Sequence, residues 1–120
     1  MRKNVLIVDD CDTTRKILSY MAKSVGYNPV TAVNGLDAIE KLAQNDISVI
    51  VTDLNMPMMD GLELVRTVRG NERYGAIPII MVSTEAGEND RELGIKAGAN
   101  LYMTKPITAK WLAYQIEKLA

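Results

Sequence analysis

Short apolar runs alternate along the chain with longer stretches in which apolar residues recur every three or four positions. The short runs are rich in β-branched residues and predict buried strands, whereas the longer stretches predict amphipathic helices. Glycine, proline and asparagine mark the turns between them. In chain order, the pattern predicts a strand at 4–9, a helix at 13–25, a strand at 29–33, a helix through Leu36, Ile39 and Leu42, a strand at 47–53, a helix from Asp60 to about Arg69, a strand at 77–83, a helix at 85–97, a strand at 101–104 and a last helix capped by Thr108.

The alternation of five strands with five helices indicates the fold class. It contains no internal repeat and predicts an α/β protein with a parallel sheet covered by helices on both faces, joined by right-handed crossovers. A chain of 120 residues has the size of a single domain, here 1–120. Pro29, near the start of the second strand, suits a strand at the edge of the sheet.

The sequence signals that predict the helices differ in strength. Asp60 and Glu63 resemble a capping box, which is a strong start signal for the third helix. The fourth helix contains Gly87 and Gly94 and few large apolar residues, so we expect it to be among the least firmly held elements. The last helix is predicted to carry its large apolar residues on one side, and these are Trp111, Leu112, Ile116 and Leu119.

Side chains capable of chemistry follow four of the five predicted strands. They are Asp9 and Asp10 after the first strand, Asp53 after the third, Ser83 after the fourth and Lys105 after the fifth. In open α/β sheets, ligands bind beyond the carboxyl ends of the strands. A carboxylate such as Asp53 at the end of an apolar strand is costly to bury unless nearby groups compensate its charge. The sequence therefore predicts a functional site at this edge of the sheet.

Three carboxylates at one edge repel one another, and a single lysine cannot neutralise them. A cluster of oxygen ligands without histidine favours a hard divalent cation, and Mg²⁺ fits best because it accepts few protein ligands and retains water. A bound Mg²⁺ in turn favours phosphoryl chemistry, which needs mainly positioning and charge neutralisation. Asp53 is then the candidate nucleophile, forming an aspartyl phosphate.

Each of these residues, taken singly, also has a purely structural explanation. Asp12 and Thr13 could cap the first helix, Ser83 could cap the fourth, and Lys105 could be a surface lysine before a turn. Their coincidence at successive strand ends favours the functional interpretation.

The composition excludes several classes of function. The net charge is −1 with scattered basic residues, so nothing indicates nucleic-acid binding. No stretch has the length of a membrane span, and the four-residue apolar run after Arg2 and Lys3 is too short for a signal peptide. The single cysteine, Cys11, cannot form an internal disulfide, which is typical of a cytoplasmic protein. The absence of histidine excludes a histidine nucleophile or metal ligand in this chain.

Over essentially its whole length, the sequence resembles the receiver domain of two-component response regulators. The matching motifs are Val5-Leu-Ile-Val-Asp-Asp10, Asp53-Leu-Asn-Met-Pro-Met-Met-Asp-Gly61, Ser83, Ala97-Gly-Ala99 and Lys105-Pro106. The resemblance implies a flavodoxin-like (βα)5 fold with strand order 2-1-3-4-5. It also implies a phosphoacceptor role for Asp53, and Mg²⁺ ligation by Asp53, by Asp10, by Asp9 largely through water and by the backbone carbonyl of Asn55. Lys105 would pair with the phosphoryl oxygens after a cis peptide bond to Pro106, and Ser83 would donate a hydrogen bond to them.

Three further positions resemble the stand-alone chemotaxis regulators of the CheY type. Asn55 lies two residues after Asp53 and Glu85 two residues after Ser83, and in that class these positions tune dephosphorylation. Tyr102, three residues before Lys105, corresponds to the rotating switch tyrosine. Ile107 replaces the phenylalanine usual after Lys-Pro, and Trp111 is not a family feature, so both could alter partner recognition.

The resemblance also implies the partners. The phosphoryl group would come from a CheA-like sensor histidine kinase or a small phosphodonor, and a phosphatase could remove it. With no DNA-binding or enzymatic domain expected after Leu119, the output would be a surface of the fourth helix, fifth strand and fifth helix, including Tyr102 and Trp111. This surface would bind a motor-switch protein or another effector in chemotaxis or motility. The chain is expected to be a cytoplasmic monomer with no contact to nucleic acid or membrane, and a phosphorelay intermediate or phosphate sink is the alternative.

An enzyme of another class offers a rival interpretation. The segment Asp10-Cys-Asp-Thr-Thr14 matches the Asp-x-Asp-x-Thr signature of haloacid-dehalogenase-like phosphatases, with Ser83 and Lys105 as further candidates. That family also needs an acidic pair downstream of the lysine, whereas the only acid after Lys105 is Glu117 in a helix. The phosphatase interpretation leaves Asp53 without a role and is rejected.

Overall fold

The computed structural model describes residues 2–120 as a five-stranded sheet with five helices. The strands are β1 (Asn4–Val8), β2 (Asn28–Ala32), β3 (Ile47–Thr52), β4 (Ile79–Ser83) and β5 (Leu101–Thr104). The helices are α1 (Asp12–Ser24), α2 (Gly35–Gln44), α3 (Gly61–Arg69), α4 (Glu88–Ala97) and α5 (Ala109–Leu119). Within the described range, each helix is too short or too polar to cross a bilayer.

All strand pairs are parallel, and the spatial order is β2-β1-β3-β4-β5, which confirms the predicted fold. β2 lies at the edge, as Pro29 indicated. The strand order reverses between β1 and β3, where Val8 pairs with Thr52 at the carboxyl ends of the two strands. This reversal is the point at which open α/β sheets bind ligands.

The sheet separates two apolar cores. On one face Leu6, Ile50 and Met81 pack with the residues of α2 and α3. On the other face Ile7, Val51 and residues of α1 and α5 form the second core. Because both faces are covered, β1, β3 and β4 carry continuous apolar runs rather than an alternating pattern, which made them recognisable in the sequence.

Side-chain caps start three of the helices. Asn34, Asp60 and Thr108 each accept a hydrogen bond from the backbone N–H three residues on, at 2.9, 2.9 and 3.1 Å. The predicted starts at Asp60 and Thr108 are therefore confirmed. The predicted caps of two other helices are wrong: α1 follows Cys11 rather than a cap at Asp12 or Thr13, and α4 follows Gly87 rather than Ser83.

Two predicted boundaries are wrong by two or three residues. β4 begins at Ile79 rather than at residue 77, and α4 begins at Glu88 rather than at Glu85. The segment before α4 stays outside the helix because Glu85 makes hydrogen bonds to Ser83 and Tyr102 instead. Few residues of α4 are buried, and Gly94 is the one buried residue within Glu88–Ala97.

Trp111 lies at the exposed margin of the apolar side of α5, which settles an orientation that the sequence left open. Leu112 and Ile116 are fully buried, whereas Trp111 is 51% exposed. Adjacent residues of a helix point about 100° apart, so Trp111 lies beside the apolar stripe rather than within it. Its ring stacks on Tyr114 with 5.9 Å between the ring centroids.

Candidate functional site

The three predicted acids meet at the carboxyl edge of the sheet. Asp9 and Asp10 follow β1, and Asp53 follows β3 directly beside them. One carboxylate oxygen from each lies within 4.8 Å of the other two. Asp9 is buried and its Oδ1 accepts the Cys11 N–H at 2.9 Å, whereas Asp10 is exposed. The cluster therefore has one closed wall and one side open to solvent.

Lys105 reaches this cluster from the end of β5. Its Nζ lies 3.1 Å from Asp9 Oδ2 and 3.7 Å from Asp53 Oδ1. Its backbone N–H donates to the Ser83 carbonyl at 2.7 Å, which ties the start of the loop to β4. The Lys105–Pro106 peptide bond is cis, as the resemblance implied. The lysine is thus a contact of the acids and not a free surface residue.

Burial raises the pKa of Asp53 above the ordinary aspartate value, and the charges of Asp9 and Asp10 act in the same direction. The Lys105 ammonium and a hydrogen bond from the Leu54 N–H, 2.8 Å from Oδ1, oppose this increase only in part. The remaining excess of negative charge fits a divalent cation. Since the donors are carboxylate oxygens with open coordination space on the Asp10 side, Mg²⁺ suits the site chemically.

A second group of predicted residues forms a hydrogen-bonded chain beside the acids. Ser83 is fully buried, and its Oγ accepts the N–H of Glu85 at 3.1 Å. The Glu85 carbonyl accepts the hydroxyl of Tyr102 at 2.5 Å, and its carboxylate accepts from Asn55 Nδ2 at 3.5 Å. Glu85 therefore connects three of the residues named from the sequence.

Tyr102 is buried at 7% exposure and packs under α4. A Cβ placed on Gly94 would lie 3.1 Å from its ring, so glycine permits this close contact. Burial raises the pKa of the Tyr102 hydroxyl, consistent with a neutral donor. Trp111 lies outside the acid cluster and lines a groove that also includes Tyr102 and Arg91, between α4 and α5.

Sequence reasoning missed two residues that position the acids. A Cβ on Gly61 would lie 2.3 Å from the Asp53 carbonyl oxygen, so only glycine allows the start of α3 to pass this close to the end of β3. Arg15 donates to the Asp9 carbonyl at 2.7 Å and pairs with Asp12. Gly61 stood in the quoted motif without a stated role, and nothing local distinguishes Arg15 from a solvated helix arginine.

The family profile of the response regulator receiver domain matches residues 5–117. The chain belongs to this family. Among curated relatives, the chain is 44% identical to the chemotaxis protein CheY1 of Helicobacter pylori over 94% of its length and 93% of that protein. It is 42% identical to the chemotaxis protein CheY homolog of Campylobacter jejuni, over 94% of its length and 88% of the relative.

Solved structures of receiver domains superpose closely. The chemotaxis protein CheY4 of Vibrio cholerae matches with a TM-score of 0.93 at 32% identity, covering all of both chains. The receiver domain of a sensor histidine kinase from Pseudomonas aeruginosa, described with a magnesium ion coordinated in its active-site cleft, matches with a TM-score of 0.91 at 26% identity over 99% and 98% of the two chains. The receiver domain is accordingly a signalling module, and the phosphatase interpretation is not favoured.

Proposed function

We propose that this chain is a stand-alone response regulator, a single cytoplasmic domain spanning 1–120, in which Asp53 accepts a phosphoryl group in a Mg²⁺-dependent reaction. The observation that carries the proposal is the placement of Asp53 between two other acids and Lys105 at the reversal of strand order. Its similarity to curated chemotaxis proteins supports a role in chemotaxis or motility.

Asp9, Asp10, Asp53 and the backbone carbonyl of Asn55 would hold Mg²⁺. When bound, the ion supplies neutralisation of the negative charge on the acids and on the incoming phosphoryl oxygens. The largely buried Asp53 carboxylate attacks the phosphorus atom of a phosphohistidine, the phosphorus–nitrogen bond breaks, and the imidazole leaves. Lys105 pairs with a phosphoryl oxygen, and the Ser83 hydroxyl donates a hydrogen bond to another.

The same residues would set the lifetime of the aspartyl phosphate. Asn55 lies two residues after Asp53, and its Nδ2 is 3.5 Å from Oε1 of Glu85, two residues after Ser83. In this position they control the access of water, so the domain removes its own phosphoryl group at a rate that these two side chains tune. A dedicated phosphatase acting on the same bond would have to approach through them.

The output surface would consist of α4, β5 and α5. When Ser83 turns its hydroxyl toward the phosphoryl group, it gives up the Glu85 N–H, which changes the hold on the loop that also binds Tyr102. The exposed Trp111 lies on the same surface. A sensor histidine kinase of CheA type supplies the phosphoryl group, and a motor-switch protein or other effector binds the altered surface of the monomer.

Beryllofluoride, a phosphoryl mimic, tests the proposal directly. With Mg²⁺ present, we expect a saturable change in Trp111 fluorescence and in backbone NMR shifts, because the mimic binds Asp53 and alters the α4-β5-α5 surface. Asp53→Asn should abolish the response, since the amide cannot replace the anionic oxygen that bonds to beryllium.

The exposed Asp46→Asn serves as a matched control and should respond as the wild type does, because it removes the same charge away from the site. A response that survives Asp53→Asn but is lost in Asp10→Asn would refute the assignment of Asp53 and favour a phosphatase-like nucleophile at Asp10.

A further inference from the structure

The two ends of α4 are held very differently. The segment from residue 84 to residue 89 is exposed throughout, and Gly87 at the N-cap has no side chain with which to bind the first turn. At the other end Gly94 is buried against Tyr102 and Met81, and Ala99, just beyond the helix, is buried as well. The firm contacts of the helix are therefore concentrated in its C-terminal half.

Arg69, the last residue of α3, accounts for much of this contrast. Its Nε donates to the Gly98 carbonyl at 2.9 Å, immediately after α4. Its Nη1 donates to the carbonyls of Gly75 and Ile77 at 3.1 and 2.6 Å, and its Nη2 donates to Asn100 Oδ1 at 2.8 Å. One guanidinium thus joins the C-terminal ends of α3 and α4 to the segment that leads into β4.

The arrangement is closely fitted around Gly98. A Cβ at this position would lie 2.7 Å from Arg69 Cγ, and its φ of +123° also favours glycine. Asn100 reinforces the junction because its Oδ1 also accepts the Ile79 N–H at 2.8 Å. The four acceptors of Arg69 are neutral oxygens, and the Gly98 carbonyl lies at the negative end of the α4 dipole, which favours a cation there.

The N-terminal end of α4 is tied to the rest of the molecule through Glu85. The Glu85 N–H binds Ser83 Oγ, its carbonyl binds the Tyr102 hydroxyl, and its carboxylate binds Asn55. All three partners belong to the proposed phosphorylation and switch residues. The state of Asp53 can therefore alter this attachment while leaving the junction at Arg69, at the opposite edge of the sheet, unchanged.

We infer that Arg69 is the fixed pivot of α4, so that phosphorylation moves the N-terminal end of the helix while the C-terminal end stays in place. The inference rests on the proposed function, in which the state of Asp53 alters the surface that includes α4. A helix of ten residues is about 15 Å long, so a tilt of roughly 10° about Gly98 displaces its first turn by about 3 Å. Arg69 is a positioning residue in this mechanism, distant from the reacting atoms.

Residue-resolved NMR of the wild-type chain, with and without Mg²⁺ and beryllofluoride, is the primary test. We expect amide shift changes at Glu88–Glu92 to exceed those at residues 94–98 by at least about twofold, because only the first group loses its attachment. The amides of Gly98 and Ala99 should keep the same hydrogen-exchange protection in both states. Shift changes of equal size along the whole helix would overturn the pivot.

Arg69→Met supplies the second test, since it keeps an unbranched side chain of similar length and removes all four donors. We expect the beryllofluoride-induced changes to spread to residues 94–98 and the protection of Gly98 to fall. Arg66→Met is the matched control, because Arg66 is an exposed arginine in the same last turn of α3, and it should retain the wild-type pattern. Arg69→Lys keeps the charge but not the planar fork and should give an intermediate pattern.

Different results would contradict the proposed function and the pivot at Arg69. A wild-type chain with no Asp53-dependent response would refute the proposed function and the pivot with it. An Asp53-dependent response whose distribution along α4 is the same in Arg69→Met as in the wild type would refute the pivot alone. If Arg69→Met does not fold, the distribution along α4 in the wild type still decides the question.

Discussion

The carboxylate of Asp53, the proposed phosphoacceptor, also carries a cost to the stability of the folded protein. Only 12% of its side chain is exposed, and Asp9 and Asp10 lie close enough to share a cation with it. Lys105 approaches both Asp9 and Asp53, so its single positive charge is divided between them. The charge of Asp53 is therefore incompletely compensated by its neighbours, which is a common property of carboxylates at functional sites.

Asp53→Asn should stabilise the metal-free protein at neutral pH. Because the folded-state pKa of Asp53 is raised above the unfolded value of about 3.9, the folded state binds this proton more tightly than the unfolded state does. The penalty in the wild type is thus present above the folded pKa and disappears as the pH falls to the unfolded pKa. We expect the variant to gain free energy of unfolding at pH 7, because it lacks the carboxylate whose charge is incompletely compensated in the folded state.

Urea denaturation in a chelating buffer between pH 7 and pH 4 measures this difference. The gain should decline as the pH falls toward 4, because the carboxyl group becomes increasingly protonated in both the folded and the unfolded state. Asp46→Asn, at an exposed position, should show no such dependence. A gain in Asp53→Asn that stays constant over this range would show that charge is not its cause.

Met58 is a second residue whose conformation carries a cost. Its φ is +71°, its side chain is 76% exposed, and its sulfur accepts only a weak hydrogen bond from Asn34 at 3.6 Å. Asparagine tolerates this backbone region better than methionine does. We therefore expect Met58→Asn to raise the free energy of unfolding by about 0.5–1 kcal/mol in urea denaturation.

Met58→Ala separates backbone strain from the loss of the side chain. It removes the same contacts, including the one to Asn34, but keeps the Cβ that disfavours a positive φ. Alanine should therefore give no gain. Equal stabilisation by asparagine and alanine would show that the exposed side chain, rather than the backbone, was unfavourable.

At the scale of elements, the connection from β3 to α3 decides where the Asp53 carboxylate lies. The Gly61 N–H donates to the Leu54 carbonyl at 2.8 Å, and its Cα passes against the backbone of Asp53. Asp60 caps α3 one residue earlier. The strand end and the helix start are thus locked together, so the position of the Asp53 carboxylate depends on the packing of α3.

Gly61→Ala should disrupt this contact between the end of β3 and the start of α3. The new Cβ would lie 2.3 Å from the Asp53 carbonyl and 2.9 Å from Leu54 Cα, and neither backbone atom can rotate away. We expect a loss of about 2–4 kcal/mol in the free energy of unfolding, because the new methyl group overpacks the site and displaces the backbone. We also expect beryllofluoride to bind more weakly.

Gly70→Ala is the control for this substitution. Gly70 ends the same helix with ordinary helical backbone angles, and its Cβ would meet no atom closer than 3.4 Å. We expect a change within about 0.5 kcal/mol. Comparable losses for the two variants would contradict the role given to the close approach at Gly61.

At the scale of the whole molecule, the proposed function requires that a change at the carboxyl edge of the sheet alters the surface formed by α4, β5 and α5. Tyr102 lies between them, with its hydroxyl bound to Glu85 and its ring under Gly94 of α4. It touches neither the acids nor solvent to any large extent. A ligand shifts an equilibrium between two conformations only by its different affinity for them. Because the loop at Glu85 connects Ser83 with Tyr102, we expect phosphorylation to act on Tyr102 through this loop.

Tyr102→Ala should therefore uncouple the surface from the site. We expect Mg²⁺-dependent beryllofluoride binding to stay within about threefold of the wild type, while the NMR shift changes at Arg91 and Trp111 are largely lost and effector binding is weakened. Tyr20→Ala, which removes an exposed tyrosine from α1, should leave both properties unchanged. Unaltered changes at Arg91 and Trp111 in Tyr102→Ala would refute the switch role.

The sequence by itself determined the order and type of all ten elements and the identity of the residues that meet at the carboxyl edge. It could do so because a parallel sheet covered on both faces needs continuous apolar strands, and because strand ends must converge on one edge whatever the loops do. Asp53, Lys105 and Ser83 follow from this rule alone. The caps at Asp60 and Thr108 could also be predicted from the sequence, because a capping side chain binds a backbone N–H only three residues away.

Only the tertiary structure decided how distant residues position one another. Helical spacing does not show that Trp111 lies beside the buried stripe of α5. It also does not show that Glu85 lies outside α4, where it makes hydrogen bonds with Ser83 and Tyr102. The space left for Gly61 and the four acceptors of Arg69 come from elements far apart in sequence. Local patterns carry propensity and periodicity, whereas close backbone approach and the satisfaction of a half-buried cation depend on contacts that exist only once the chain has folded.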